Sequence, residues 1–423
     1  MLGFLKEYRK IPQHILYLIV AEFFLQLVNS SFLAIQPLFM QKEGYTDAQS
    51  AGYIGYRFLG VLVLAFPLGL YIKNKRIKNL FFCSALGVPL FALAIIYSTT
   101  LHLNWLIYLS QLLWGASFTF MQIPLLPYIF RTSPQETHTA SITLSYSTWS
   151  FASIAGGLLI ALLNKLNPLL FNEQNVLILM ALAGLVGVYF ISRIDHKEDP
   201  GDRTKSTFSF GDYDWGRIAK ALTPTLIIAV GAGFTIPFLS LFFVNVHHMS
   251  TSSYSLVYSL SAVLVAFASM AVPQIKRKWG YQRAVPFTQS LAIIALVGMA
   301  TTEWYNQFSF AVYIGIVFFL MRQPLMNMAG PMTTDVVMGY VGPKNREMVS
   351  ALTMAIWSGS WFISSGIFQD LRERHLAYVN IFLITAVLYV IGVIWYYFLV
   401  RSAGERRGTS VPIAIGRDEE REK

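Results

Sequence analysis

Four ionisable side chains lie inside otherwise apolar stretches of this 423-residue chain: Glu22, Arg57, Arg322 and Asp335. A charge in hydrocarbon is costly unless it faces protein or water, so each is a candidate for chemistry. Glu22 opens a polar stripe, because Gln26, Asn29 and Gln36 follow at i+4, i+7 and i+14 and share its helical face. A carboxylate on a water-lined face can take up and release a proton as its exposure changes; the competing reading is a polar contact that holds helices together. Arg322, with Gln323, Asn327, Gly330 and Thr334, forms a second stripe of polar and small residues. Its guanidinium suits an anion site, a charge partner for Glu22, or a fixed structural pair. At about 1.5 Å per helical residue, Arg322 lies roughly 21 Å and Arg57 roughly 10 Å from the outer ends of their segments, with Glu22 roughly 14 Å from the inner end of its own. Arg57 is shallow enough for three readings: attracting an anionic or carbonyl-bearing molecule, extending its head outward, or pairing with Glu43 or Asp47. Asp335, near a segment end, reads as a gate or a structural contact with the basic residues around 276–278.

Other chemistries find little support. The chain has one cysteine, Cys83, within an apolar stretch, so neither a disulfide framework nor a cysteine metal site is expected. His247 and His248 are adjacent and cannot both face one site on a helix. There is no phosphate-binding glycine loop, zinc-protease motif or nucleophile elbow, so no catalytic residue, metal or cofactor is expected. The net charge of +10 comes from basic residues flanking apolar segments at intervals, which argues against a nucleic-acid surface.

The elements that must position these residues follow from composition. Apolar residues make up 55% of the chain, charged residues 13%, and mean hydropathy is +0.52. That is the composition of a chain embedded in a lipid bilayer. Crossing a hydrocarbon layer takes about 20 helical residues. Polar breaks mark twelve such segments, near 13–39, 50–72, 79–99, 103–130, 139–164, 174–194, 219–245, 253–275, 284–302, 307–337, 348–368 and 376–400. Every backbone polar group in lipid needs an internal partner, and no alternating barrel pattern is present, so the expected fold is an all-α integral membrane protein. The first segment exceeds the apolar core of a signal peptide and is expected to be retained. With the N-terminus inside, 26 Lys and Arg fall on the inner side, four on the outer side, and Arg57 and Arg322 within spans. This asymmetry places both termini in the cytoplasm. The expected units are a cytoplasmic N-terminus (1–12), a six-helix bundle (13–194), a charged Pro/Gly-bearing cytoplasmic linker (195–218), a second six-helix bundle (219–400) and a cytoplasmic tail (401–423).

The two halves repeat at a spacing of about 203 residues. Ile72-Lys73-Asn74-Lys75 aligns with Ile275-Lys276-Arg277-Lys278, and Tyr56 with Val61-Leu62-Val63 aligns with Tyr258 and Val263-Leu264-Val265. Pro134 and Trp149-Ser150 match Pro343 and Trp357-Ser358. Both halves begin on the same side after an even number of spans, which makes the repeat parallel. Over about residues 10–400 the chain resembles the major facilitator superfamily. The family's loop after span two survives in part as Gly69 through Lys78, with Lys73 where an acid is usual, and as Pro273 through Arg283 around Gly280. Gln111 stands where proton-driven drug exporters of the family carry Arg, and Ala152-Ser-Ile-Ala-Gly156-Gly157 keeps the paired glycines of span five without the Gly-Pro.

The resemblance implies a monomeric secondary transporter of the inner membrane that moves a small organic solute by alternating access, with no nucleic-acid partner. Glu22 is the expected proton-coupling residue. Gln26, Asn29, Arg57, Gln111, Tyr146, Arg322, Gln323, Asn327 and Trp357 are the expected solute contacts, and Lys73, Arg277 and Asp335 the expected gating residues. Two alternatives stand beside it: uptake or uniport of an anionic metabolite without a proton, and a membrane receptor that transports nothing.

Overall fold

The structure is a computed structural model that describes residues 10–72, 75–195, 213–342 and 345–407. Most of the expected linker, 196–212, and the tail beyond 407 lie outside the described residues, as does Lys73. Twelve helices are long and apolar enough to cross a membrane, and no strand occurs among the described residues. The first six are α1 (Gln13–Lys42), α2 (Asp47–Tyr71), α3 (Lys78–Thr100), α4 (Asn104–Thr132), α5 (Gln135–Leu166) and α6 (Glu173–Ser192). The second six are α7 (Trp215–His247), α8 (Thr251–Val272), α9 (Arg283–Tyr305), α10 (Ala311–Val341), α11 (Arg346–Glu373) and α12 (Tyr378–Arg407).

Local chemistry sets the ends. Thr46 and Gln49 form a reciprocal capping box at the start of α2, and Asn172, Asp214 and Ser250 accept from backbone amides to cap α6, α7 and α8. The chain turns between α8 and α9 at Gly280, whose φ of 64° is a left-handed value that a residue without Cβ adopts freely. The α7 helix is interrupted by a short 3-10 turn, Ile236–Phe238, around Pro237, which cannot supply the backbone N–H that a continuous helix needs. Several helices outrun their apolar segments: α11 extends to Glu373 through Asp370, which pairs with Arg374 at 3.1 Å. The last span begins and ends later than the apolar pattern suggests; α9 closes in a 3-10 turn, Thr302–Tyr305, and α10 starts at Ala311.

Packing repeats with an offset of six helices. In the first half α1 lies against α5 and α6; in the second, α7 lies against α11 and α12. Between halves, α2 packs on α11 and α5 on α8, each the counterpart of the other. Small residues make these crossings close. A Cβ on Gly157 would stand 2.7 Å from the Ser255 carbonyl, and one on Gly156 2.9 Å from Ser31 Oγ, so α5 is held tightly between α8 and α1. The α2/α4 crossing is closer still: Cβ atoms on Gly60 and Gly115 would fall 2.0 Å and 1.9 Å from the carbonyl oxygens of Leu112 and Arg57.

Candidate functional site

Two adjoining cavities lie between the halves. The larger, about 740 Å³, is lined by Glu22, Gln26 and Asn29 of α1, Gln122 of α4, Tyr146 and Trp149 of α5, Arg322, Gln323 and Asn327 of α10, Trp357 of α11, and Tyr389 and Tyr396 of α12. It reaches the linker-side ends of the helices at Leu126, Met338 and Ser350. The smaller, about 320 Å³, lies beyond it and is lined by Arg57, Tyr254, Tyr258, Ser261 and Trp361. Asn29, Trp149, Ile236, Gln323, Asn327 and Trp357 border both. A volume in this range accommodates a metabolite-sized molecule.

Glu22 is buried, and its carboxylate accepts a hydrogen bond from Ser145 at 2.7 Å. No Lys, Arg or His approaches it within 4.0 Å among the described residues, so of the readings for Arg322 a direct ion pair with Glu22 is not formed. Gln26 and Asn29 continue the α1 stripe along the wall; Gln36, about two turns further on, turns aside to Arg57.

Arg57 occupies a neutral cage. Its Nε donates to Gln111 Oε1 at 3.1 Å, its Nη2 donates to Gln36 Oε1, and the guanidinium lies 3.5 Å from the centre of the Trp114 ring. Neither Glu43 nor Asp47 pairs with it, which corrects one of the sequence readings. Asp47 begins α2, so Arg57 sits about 15 Å along the helix from it, beyond side-chain reach. Gln111 is fully buried and borders neither cavity; its place is behind Arg57 rather than against a solute.

Arg322 is 1% exposed yet lines the larger cavity. Its Nη1 and Nη2 donate to Gln323 Oε1 and the Tyr389 hydroxyl at 3.3 Å and 3.4 Å, both long, and its Nε has no partner. Counted from Ala311, it stands about 16 Å from the outer end of α10, level with Arg57 rather than far deeper. Gln323, Asn327 and Trp357 border both cavities, and Tyr146 presents an exposed ring to the larger. Asp335 is at the linker end of α10, where it accepts a hydrogen bond from Tyr281 beyond Gly280. The side chain of Arg277, like all of Lys73, lies outside the described residues.

On the face opposite the linker the halves are clasped by a cluster that composition alone did not reveal. Asp47 of α2 pairs with Arg372 of α11 at 3.0 Å, accepts from Tyr378 of α12, and accepts from Asn245 of α7 at 3.2 Å. Asn245 in turn accepts from Gln41 of α1 at 2.8 Å. Nearby, Glu173 joins Lys42 at 2.6 Å and accepts from Thr251 of the other half. On the same side of the cavity, Ser252 and Ser259 add bonds to α5 carbonyls. The signal in the sequence was weak: an acid at a helix start and a Tyr, an Arg and an Asn at three distant segment ends.

Similar structures share this fold. A variant of the nucleoside transporter NupG superposes with a TM-score of 0.74 at 12% identity, covering 91% of this chain and 99% of that one. The D-xylose-proton symporter gives 0.71 at 11% identity over 91% and 96%. A bacterial homologue of the human lysosomal transporter Spinster, inward-facing and unoccupied, gives 0.69 at 12% over 93% and 98%. At such identities the likeness speaks to the fold alone. No curated protein matches the sequence. The sequence model described as Major Facilitator Superfamily does match, over residues 18–365. Twelve spans, a half-to-half repeat of helix packing, a cavity between the halves and that match over most of the chain lead to one conclusion: the protein belongs to the major facilitator superfamily.

Proposed function

We propose that the protein is a secondary transporter that carries a small organic solute through the central cavity by alternating access, with a proton taken up and released at Glu22. The observation that carries this reading is the position of Glu22: a buried carboxylate without a basic partner, on the wall of a cavity that reaches the linker side. Its ionised form is poorly compensated there, and its neutral form keeps the hydroxyl contact with Ser145, so its protonation state answers to whichever side supplies water. The clasp around Asp47 closes the far side while the near side is reachable, which is one of the two states alternating access requires. Orientation in the inner membrane with both termini cytoplasmic follows from the basic inner loops.

Proteoliposomes test the reading. Wild-type protein should accumulate solute when a pH gradient is imposed. Glu22→Gln should lose accumulation but keep counterflow exchange, because exchange does not require the proton to leave. Undiminished gradient-driven accumulation by Glu22→Gln would place coupling elsewhere, and absence of counterflow in wild type for every solute class would remove the transport reading itself.

A further inference from the structure

The two cavities hold an electrostatic imbalance. Two guanidiniums line them, Arg57 and Arg322, and neither has a carboxylate within 4.0 Å among the described residues. Guanidinium stays charged at any accessible pH. The one acid on either wall is Glu22, which is engaged by Ser145. The walls therefore carry one net positive charge when Glu22 is ionised and two when it is neutral. A buried charge without a counter-ion is costly, and the two arginines differ in what they offer. Arg57 is fixed by bonds from Nε to Gln111 and from Nη2 to Gln36 and by the Trp114 ring on its face, so it chiefly supplies a fixed field. Arg322 has an unpartnered Nε and two long bonds that a better acceptor can displace.

We propose that the solute is an organic anion whose carboxylate-type group binds Arg322 on its Nε edge, with its apolar body against Trp149 and Trp357, and that it binds together with a proton on Glu22. This rests on the transport reading above and adds the substrate class and the sense of coupling. One anion entering with one proton restores the wall to the net charge it has when empty and ionised, so the pair enters the low-dielectric cavity with no change in charge. Each then strengthens the other's binding, as reciprocity demands. Glu22 is faced by Ser145 and Tyr146 of α5, Gln122 of α4, Gln26 of its own helix, and across the cavity by Arg322 of α10, Thr225 of α7, Gln289 of α9 and Tyr389 and Tyr396 of α12. Glu22 is the one carboxylic acid among them. Affinity for the anion should therefore rise as pH falls.

The test uses the purified full chain in detergent, with binding read by calorimetry and thermal shift. The probes are phenylacetate, phenylphosphonate, neutral phenylacetamide and cationic phenethylamine. Phenylacetate or phenylphosphonate should bind roughly tenfold or more tightly than the amide, the margin of a charge-assisted hydrogen bond. Arg322→Gln should erase that margin while melting as wild type does, and Arg322→Lys should restore part of it. Lowering pH by one unit should tighten anion binding by up to about tenfold in wild type. Glu22→Gln, fixed in the neutral form, should bind as tightly at high pH as at low. Equal or better binding of amide or amine, no binding of either anion at millimolar concentration, or an anion preference that survives Arg322→Gln would overturn the proposal. The failures are separable. Gradient-driven uptake of the neutral or cationic probe would refute the anion site and keep transport, whereas anion binding without movement of any probe in proteoliposomes would do the reverse.

Discussion

Removing Asp47 should unlatch the face opposite the linker. Its carboxylate is 10% exposed and joins α2 to three helices of the other half through Arg372, Tyr378 and Asn245. Truncating one partner of a largely buried, hydrogen-bonded charge pair costs about 2–5 kcal/mol. The lower end applies, because Arg372 remains 20% exposed and keeps a 2.6 Å bond to the Leu376 carbonyl. The capping box of Thr46 and Gln49 is untouched, so α2 itself should lose little. A bias of about 2 kcal/mol against the closed state multiplies the open population by roughly thirty. A cysteine at Ser261, which lines the smaller cavity and is 3% exposed, reports that population in a Cys83→Ser background. Membrane-impermeant maleimide applied from the face opposite the linker should label Asp47→Ala up to about thirtyfold faster than the parent. Arg372→Ala should do the same, and the double variant should add little, since both remove one clasp. An unchanged labelling rate in a folded Asp47→Ala protein would refute the latch and leave the cluster as surface decoration.

Other outcomes follow from the packing. Gly60→Ala should lower the melting temperature of the purified protein, because its Cβ would stand 2.0 Å from the Leu112 carbonyl and overpacking costs about 1–3 kcal/mol; Gly330→Ala, with nothing within 4 Å, should leave it nearly unchanged. Trp114→Leu removes the ring 3.5 Å from Arg57 and should destabilise by about 2 kcal/mol in this desolvated setting, with Trp114→Phe losing less by the same melting assay.

The helices were readable in the sequence because lipid leaves the backbone no other partner, and the α1 stripe because its spacing of four, seven and fourteen is a helical period. What sequence could not supply is which helix meets which. Arg57 takes partners 21 and 54 residues away, and the acid nearest in sequence is out of reach because the intervening residues form a straight helix. Depth differs from the hydropathy pattern because α2 starts at Asp47, set by its capping box, rather than at 50, and α10 at Ala311 rather than 307. Gln111 looked like a wall residue from its family position, yet burial and the bond to Arg57 place it one layer back.

The 3-10 turn in α7 divides that helix between two mechanical neighbourhoods. Before the turn, Trp215–Thr235 is seated among α11 and α12; after it, Leu239–His247 touches α1 and carries Asn245 into the clasp. Ile236, at the turn itself, borders both cavities. The outer third of α7 thus works as a crank arm on a fixed bearing: a few degrees of swivel at Ile236–Phe238, amplified along about 14 Å of arm, can swing Asn245 away from Gln41 while the root of the helix stays bolted to its own half. If the halves alternate as proposed, the first movement expected is the turning of this one short lever.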